Sequence, residues 1–284
     1  MRNISVKSFA KINIGLDVVK TREDGFHELD MVMVPIQLHD SVLIREIKNK
    51  PDNYVTMDDY SLMVFKHNLA TFAIDALAAK YQFTNKYRIM IHKVIPIKAG
   101  LGGGSSNAAA TLNGVNKILK LGASDEELID IAKTIGSDVP FFVKNKPMRC
   151  KGVGEKMEPI EIKNNYYCLI VKPKEGCSTK EVFTLSDGEE RKHVNIDNIV
   201  KALAEGDDEL LAKELENSLE EAATKLVPEI AIIKQELKDL GLKIVGMSGS
   251  GSTVYALSTD KKLMKKAAAT MEPHYFTELT KVLK

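Results

Sequence analysis

The chain has 284 residues, enough for roughly two domains at about 150 residues each. Hydrophobic residues make up 44% and charged residues 28%, ordinary values for a globular chain. Forty Lys and Arg face 39 Asp and Glu, a net charge of +1, which argues against a nucleic-acid or polybasic membrane binder. Any charged ligand must be met by a local cluster. Three cysteines, Cys150, Cys168 and Cys177, form no CxxC pair, so neither a disulfide framework nor a four-cysteine zinc site is expected. The first residues, MRNISVKSFAKINIGLD, carry no apolar h-region, and no run of about 18 apolar residues occurs. A reduced, cytoplasmic chain, monomeric or weakly dimeric, is expected.

From Lys11 to Val18 apolar Ile12, Ile14, Leu16 and Val18 alternate with Lys11, Asn13 and Asp17, the pattern of a half-buried strand. Thr21–Gly25 reads as a turn, and Met31–Pro35 and Ser41–Glu46 as extended segments. Asn68–Lys80 reads as a helix with Leu69, Phe72 or Ala73, Ala76 and Leu77 inward. Tyr87, Ile89 and Ile91 alternate as a strand. After a glycine-rich run, Ala108–Leu121 is expected to be helical and to stop at Gly122. Ser124 and Glu127 form a capping box for the next helix, which ends at Gly136. A loop near Gly152 and Gly154 opens the second half. Tyr166–Val171 reads as a strand, and Asp208–Ala222 and Pro228–Leu240 as helices. Leu242–Met247 and Thr253–Leu257 read as strands around Ser248–Ser252, and Lys261–Thr270 as a last helix. Strands and helices mix without strict alternation, which favours an α+β fold.

The strongest chemical feature is Ile95–Asn107, IPIKAGLGGGSSN, set between a strand and a helix. Gly100, Gly102, Gly103 and Gly104 let the backbone approach a ligand closely. The helix after it adds unpaired N–H donors and a partial positive charge, so together they form a phosphate cradle. A flexible loop closed by a Ser cap is the plainer alternative. The GxxxxGK[ST] loop is excluded, since the chain has no Gly-Lys dipeptide. The GxGxxG spacing fails because Asn107 stands at its third glycine.

These residues resemble the GHMP kinase superfamily. Its first motif resembles Ala10–Leu16, its second the loop Pro96–Ser106 with one extra glycine, and its third Met247–Ser252. Asp24-Gly-Phe-His27, Gly136–Phe141 and Gly152–Glu155 resemble the branch that acts on a cytidine-diphosphate-linked methylerythritol on a non-mevalonate route to isoprenoid precursors. The resemblance runs over residues 9–257. It implies a two-domain α+β GHMP kinase fold, with an N-terminal ATP-binding domain (residues 1–157) and a C-terminal ferredoxin-like domain (158–284). The implied activity is transfer of phosphate from ATP, with magnesium, to the 2-hydroxyl of that CDP-linked alcohol. A sister kinase for mevalonate-type alcohols, homoserine or a sugar, or a non-catalytic ligand sensor, stays the alternative.

The resemblance also implies roles. Asp138 matches the catalytic aspartate, which would accept the hydroxyl proton. Lys11 matches the lysine beside it, which would keep that carboxylate ionised and offset phosphoryl charge. Asn13 would bind the acceptor near its reacting hydroxyl. His27 matches a histidine that reads cytosine. Phe26, where tyrosine is usual, and Phe183 would stack on the base. Asn68 resembles an adenine contact, with a helix N-cap as an equal alternative. Pro96, Ile97, Lys98, Ala99, Gly100, Leu101, Gly102, Gly103, Gly104, Ser105, Ser106 and Asn107 would form the ATP loop. Lys98 stands where small or apolar residues are common, and either adds a phosphate contact or projects into solvent. Ser248, Gly249, Ser250 and Gly251 would close over the loop and support the acceptor, with Ser252 where proline is common. No metal ligand is assigned. The other histidines, His39, His67, His92, His193 and His274, read as structural or surface groups.

Overall fold

A computed structural model describes residues 2–58, 68–188 and 191–284; His67 lies outside the described residues. The chain divides into two compact units. The first comprises Met1–Ala10, His39–Pro96 and Gly102–Asn145, the second Lys11–Leu38, Ile97–Leu101 and Lys146–Lys284. Two long strands, β1 (Asn3–Thr21) and β2 (His27–Ile47), pass through both. The two extended segments expected at 31–35 and 41–46 are therefore one strand.

In the first unit β4 (Lys86–His92) pairs antiparallel with the far half of β2, from Ser41 against His92 to Ile47 against Lys86. It pairs parallel with β3 (Tyr54–Met57) on its other side. Tyr87, Ile89 and Ile91 are buried on one face of β4, as their alternation requires. Four helices complete this unit: α1 (Leu69–Tyr81), α2 (Gly103–Leu119), α3 (Asp125–Lys133) and α4 (Val139–Lys144). The apolar stripe of α1 is Ala70, Ala73, Ile74 and Leu77, whereas Phe72 is exposed. Helix α2 starts five residues before the expected Ala108 and is capped by Lys120 in a left-handed conformation, with Gly122 two residues beyond. The capping box of Ser124 and Glu127 forms as expected, each side chain bonded to the other's backbone N–H.

In the second unit the near half of β2 pairs with β5 (Met148–Gly152), which turns into β6 (Lys156–Pro159). The expected loop at Gly152 and Gly154 is the turn of this hairpin. A second sheet runs in the order β10 (Phe276–Lys281), β7 (Tyr167–Lys172), β9 (Val254–Ser258), β8 (Ile244–Met247), all antiparallel. Numbering those strands by chain position gives the order 4-1-3-2, and helices intervene between the first and second and between the third and fourth. This is the βαββαβ arrangement of a ferredoxin-like domain. The intervening helices are α5 (Thr179–Asp187), α6 (Ile196–Glu205), α7 (Asp208–Glu214), α8 (Glu220–Leu226) and α9 (Glu229–Asp239), then α10 (Lys261–Met271). The three cysteines are free thiols and buried.

Two expectations need correction here. Residues 11–18 of β1 are not half-buried: Lys11, Asn13 and Asp17 are covered as thoroughly as Ile12 and Ile14. Tyr255 donates its hydroxyl to the Asn13 carbonyl at 2.9 Å, and Asp17 accepts from the Val194 N–H and the Ser218 hydroxyl. The polar face of the strand is thus a buried, hydrogen-bonded interior. The segment 208–222 is not one helix either. It leaves the helix after Glu214, so that Glu216 O accepts from Leu16 N and Ser218 N donates to Leu16 O. Asn217, at the break, donates its amide to Met247 O and Gly249 O and accepts from Leu219 N.

That break has a testable sign. In a continuous helix Asn217→Ala would stabilise, because alanine is the better helix former by about 0.5 kcal/mol. Here the substitution removes three hydrogen bonds, and urea unfolding is expected to show a loss of about 1–3 kcal/mol.

Candidate active site

The glycine-rich segment is shared by the two units. In the first unit β4 ends at His92, and Asp40 of β2 organises the chain just beyond it. The Asp40 carboxylate is wholly buried. Oδ1 accepts from the backbone N–H groups of Val94 and Ile95, each at 2.8 Å, and Oδ2 accepts from Asn107 Nδ2 at 2.9 Å and from the Lys93 ammonium. A buried carboxylate needs such compensation. Asn107 also donates to Ser8 Oγ at 2.8 Å, and Ser8 donates to Ser106 Oγ at 2.7 Å. The side chains of Ser106 and Asn107 therefore turn inward and fasten the first turn of α2. Neither Asp40 nor Ser8 stands out in the sequence, because their partners lie 53 to 99 residues away.

Gly103, Gly104 and Ser105 are the first three residues of α2, and Gly102 is its N-cap with φ near +69°. A glycine cap has no side chain to offer the first N–H groups, so they face outward as donors. Helix α2 has 17 residues, long enough for its partial positive charge to develop. Asn68 caps α1, its Oδ1 accepting from Ala70 N at 2.8 Å. Asp138 occupies the N-cap position of α4 but makes no side-chain capping bond there. Its half-buried carboxylate is left available for another partner.

In the second unit Lys11, Asn13, Gly100, Leu101 and Ser248–Gly251 meet. Lys11 N donates to Leu101 O at 3.1 Å. Ser248 Oγ donates to Gly100 O at 2.9 Å and accepts from Asn13 N at 3.2 Å. A Cβ at Gly100 would lie 2.0 Å from Ser248 O, and φ there is +71°, so both space and backbone demand glycine. The Lys11 ammonium, 4% exposed as a residue, donates to Asn13 Oδ1 and lies 3.2 Å from where a Cβ of Gly249 would stand. Ser250 Oγ and Thr179 Oγ1 share a hydrogen bond, and Ser252 Oγ donates to Glu175 O. Pro96 precedes this stretch; Ile97 and Lys98 are exposed, and Ala99 and Leu101 are buried. Lys98 is left-handed, with its backbone packed against Gly176.

Elsewhere in this unit His27 lies against Phe183, ring centroids 4.4 Å apart. Phe183 sits on α5. Phe26 is 58% exposed, and its N–H donates to Asp24 Oδ1. Among the described residues no group of three or more His, Cys, Asp or Glu is gathered to hold a metal ion.

Residues 68–146 match the GHMP kinases N-terminal domain, and residues 199–276 match the GHMP kinases C-terminal domain. A Lachnoclostridium phytofermentans protein named 4-diphosphocytidyl-2-C-methyl-D-erythritol kinase is 37% identical over 265 residues, covering 93% of this chain and 91% of its own. A Bacillus cytotoxicus protein of the same name is 39% identical, covering 89% and 87%. A crystal structure of 4-(cytidine 5'-diphospho)-2C-methyl-D-erythritol kinase superposes with a TM-score of 0.82 at 28% identity, over 99% of this chain and all of that one. Homoserine kinase from Cytophaga hutchinsonii shares the fold, with a TM-score of 0.73 at 18% identity.

Removing the Asp40 carboxylate tests the scaffold. Asp40→Ala strands the Lys93 ammonium and two backbone N–H groups, and is expected to cost about 3–5 kcal/mol in urea unfolding.

Proposed function

Because this chain belongs to the GHMP kinases, we propose that it transfers the γ-phosphoryl group of ATP to the 2-hydroxyl of 4-diphosphocytidyl-2-C-methyl-D-erythritol, a step toward isoprenoid precursors. The observation that carries the choice of acceptor is the pairing of His27 with Phe183. A hydrogen-bonding ring against an aromatic face suits a nucleobase, and mevalonate or homoserine offers none. The relatives named for this activity align with nine-tenths of the chain.

Each group then has its own part in the transfer. The N–H groups of Gly103, Gly104 and Ser105 face the ATP phosphates at the start of α2. Asn107, its amide already bonded to Ser8 and Asp40, holds that turn in place rather than reaching the nucleotide. Pro96–Leu101 lines the loop, with Gly100 fixed by Ser248. Asn68 presents its remaining donor to adenine while capping α1. Asp138 accepts the proton of the attacking hydroxyl; the new O–P bond forms as the bond to the ADP oxygen breaks. Lys11 supplies positive charge to the transferring group, and Asn13 holds that ammonium while binding the acceptor. Phe26 and Phe183 flank the base, and Ser248–Gly251 supports the acceptor end. A bound magnesium ion would offset negative charge on the phosphates during transfer, and no protein ligand for it is assigned among the described residues.

We place the boundary between N- and C-terminal domains at residues 157 and 158, with the two family matches falling on either side. No helix among the described residues is long and apolar enough to cross a membrane. The proposed enzyme acts in the cytoplasm, as a monomer or weak homodimer.

An ADP-release assay with ATP and magnesium tests the reading, with the CDP-linked alcohol run beside mevalonate, phosphomevalonate and homoserine. Turnover of the CDP substrate alone is expected, and Asp138→Asn should lower kcat by about 10²–10⁴-fold with the fold intact. Turnover only with another alcohol would discard the cytidine assignment. No turnover with any would favour a ligand sensor.

A further inference from the structure

His27 is not held by Phe183 alone. Its side chain is 12% exposed, and its Nε2 lies 2.8 Å from Oδ1 of Asp187, the last residue of α5 and one turn beyond Phe183. The same carboxylate oxygen accepts from Thr21 Oγ1 at 2.9 Å and pairs with the Arg191 guanidinium. Arg191 in turn donates to the Ser186 carbonyl and hydroxyl. Burial acts to raise the Asp187 carboxyl, but hydrogen bonds from His27 and Thr21, with the charge of Arg191, hold it below the ordinary carboxylate range. Three segments thus converge on one oxygen: the end of β1, the start of β2 and the end of α5.

An ionised carboxylate can only accept. Asp187 therefore requires a hydrogen on Nε2, and in a neutral imidazole that leaves Nδ1 with a lone pair and no hydrogen. Among the described residues nothing else hydrogen-bonds the ring. A pyrimidine can meet such an acceptor only with a donor. Cytosine carries an amino group at C4, where uracil carries a carbonyl oxygen.

We infer that Asp187 is a positioning residue that fixes His27 as its Nε2–H tautomer, so that Nδ1 accepts from the amino group of cytosine and rejects uracil. The inference rests on the reading of His27 as the group that meets the base. Arg191 and Thr21 support it by bonding the same Asp187 oxygen and so holding the carboxylate in place against the ring. A carboxylate placed only to brace α5 against β1 would have no bearing on which base is preferred.

Two measurements test it. Steady-state kinetics would compare the CDP-linked and UDP-linked alcohols in the wild type, Asp187→Ala and Asp187→Asn. For Asp187→Ala we expect kcat/KM on the cytidine substrate to fall about tenfold through KM, with kcat within about twofold, and the cytidine-over-uridine preference to fall about tenfold. Asp187→Asn retains an oxygen acceptor and should recover most of the preference. Imidazole ¹⁵N shifts, assigned to His27 by their loss in His27→Gln, should show a protonated Nε2 in the wild type and a tautomer mixture in Asp187→Ala. An unchanged preference in folded Asp187→Ala, or an Nδ1–H tautomer in the wild type, would overturn the inference. Wild type inactive on the cytidine substrate would overturn the base-reading role and the kinase reading beneath it, while the nitrogen shifts would still decide the bond between Asp187 and His27.

Discussion

A carboxylate sealed from water has to find its hydrogen-bond partners inside the protein, and Asp40 finds them in two different segments. Two backbone N–H groups after β4, the Lys93 ammonium and the Asn107 amide all converge on it. That convergence fixes where β4 ends, how the chain enters the glycine-rich segment and where the first turn of α2 lies. The neighbouring bonds through Ser8 tie the same turn to β1. Without this anchor the outward N–H groups of Gly103–Ser105 would have no defined direction, and a cradle for phosphate depends on direction more than on composition.

A comparable logic operates in the second unit, where a hydroxyl replaces the carboxylate. Ser248 gives its hydrogen to Gly100 O and takes one from Asn13 N, so one side chain sets the spacing between β1 and the glycine-rich segment. The contact tolerates no Cβ at Gly100. Asn13 is then held from both ends, its backbone by Ser248 and Tyr255 and its side chain by Lys11. The polar residues of β1 are buried and hydrogen-bonded, the fixed placement that the roles proposed for Lys11 and Asn13 require.

What is legible in the sequence is what is local. The capping box at Ser124, the alternation of β4 and the helix at 261–271 are written within a few adjacent residues, and each forms as expected. The family motifs carry the fold because several short patterns occur in order. What escapes has distant causes. Nothing near Asp208–Ala222 announces a break, since no glycine or proline interrupts the leucine period; the break is imposed by Leu16, about 200 residues earlier. Glycines argue against helix, which points to Ala108 as the start of α2, yet tertiary bonds through Ser106 and Asn107 make residues 103–107 helical. Asp40, Asn217 and Asp187 are invisible as site residues because each matters through partners that only the fold brings near.

Helix α2 begins on a residue that has no side chain and whose backbone is left-handed. Elsewhere in the chain Asn68, Ser124, Asp207 and Asp260 close their own helices. At Gly102 no side chain caps the helix, so an anion bound there would take the place of a cap and add stability to a turn that Asp40 already orders. A serine or aspartate there would complete the helix with its own oxygen, at the cost of backbone strain, and compete with the ligand for the same donors. Stability and affinity are opposed at this position, and the glycine leaves the stabilising half of the interaction to whatever binds.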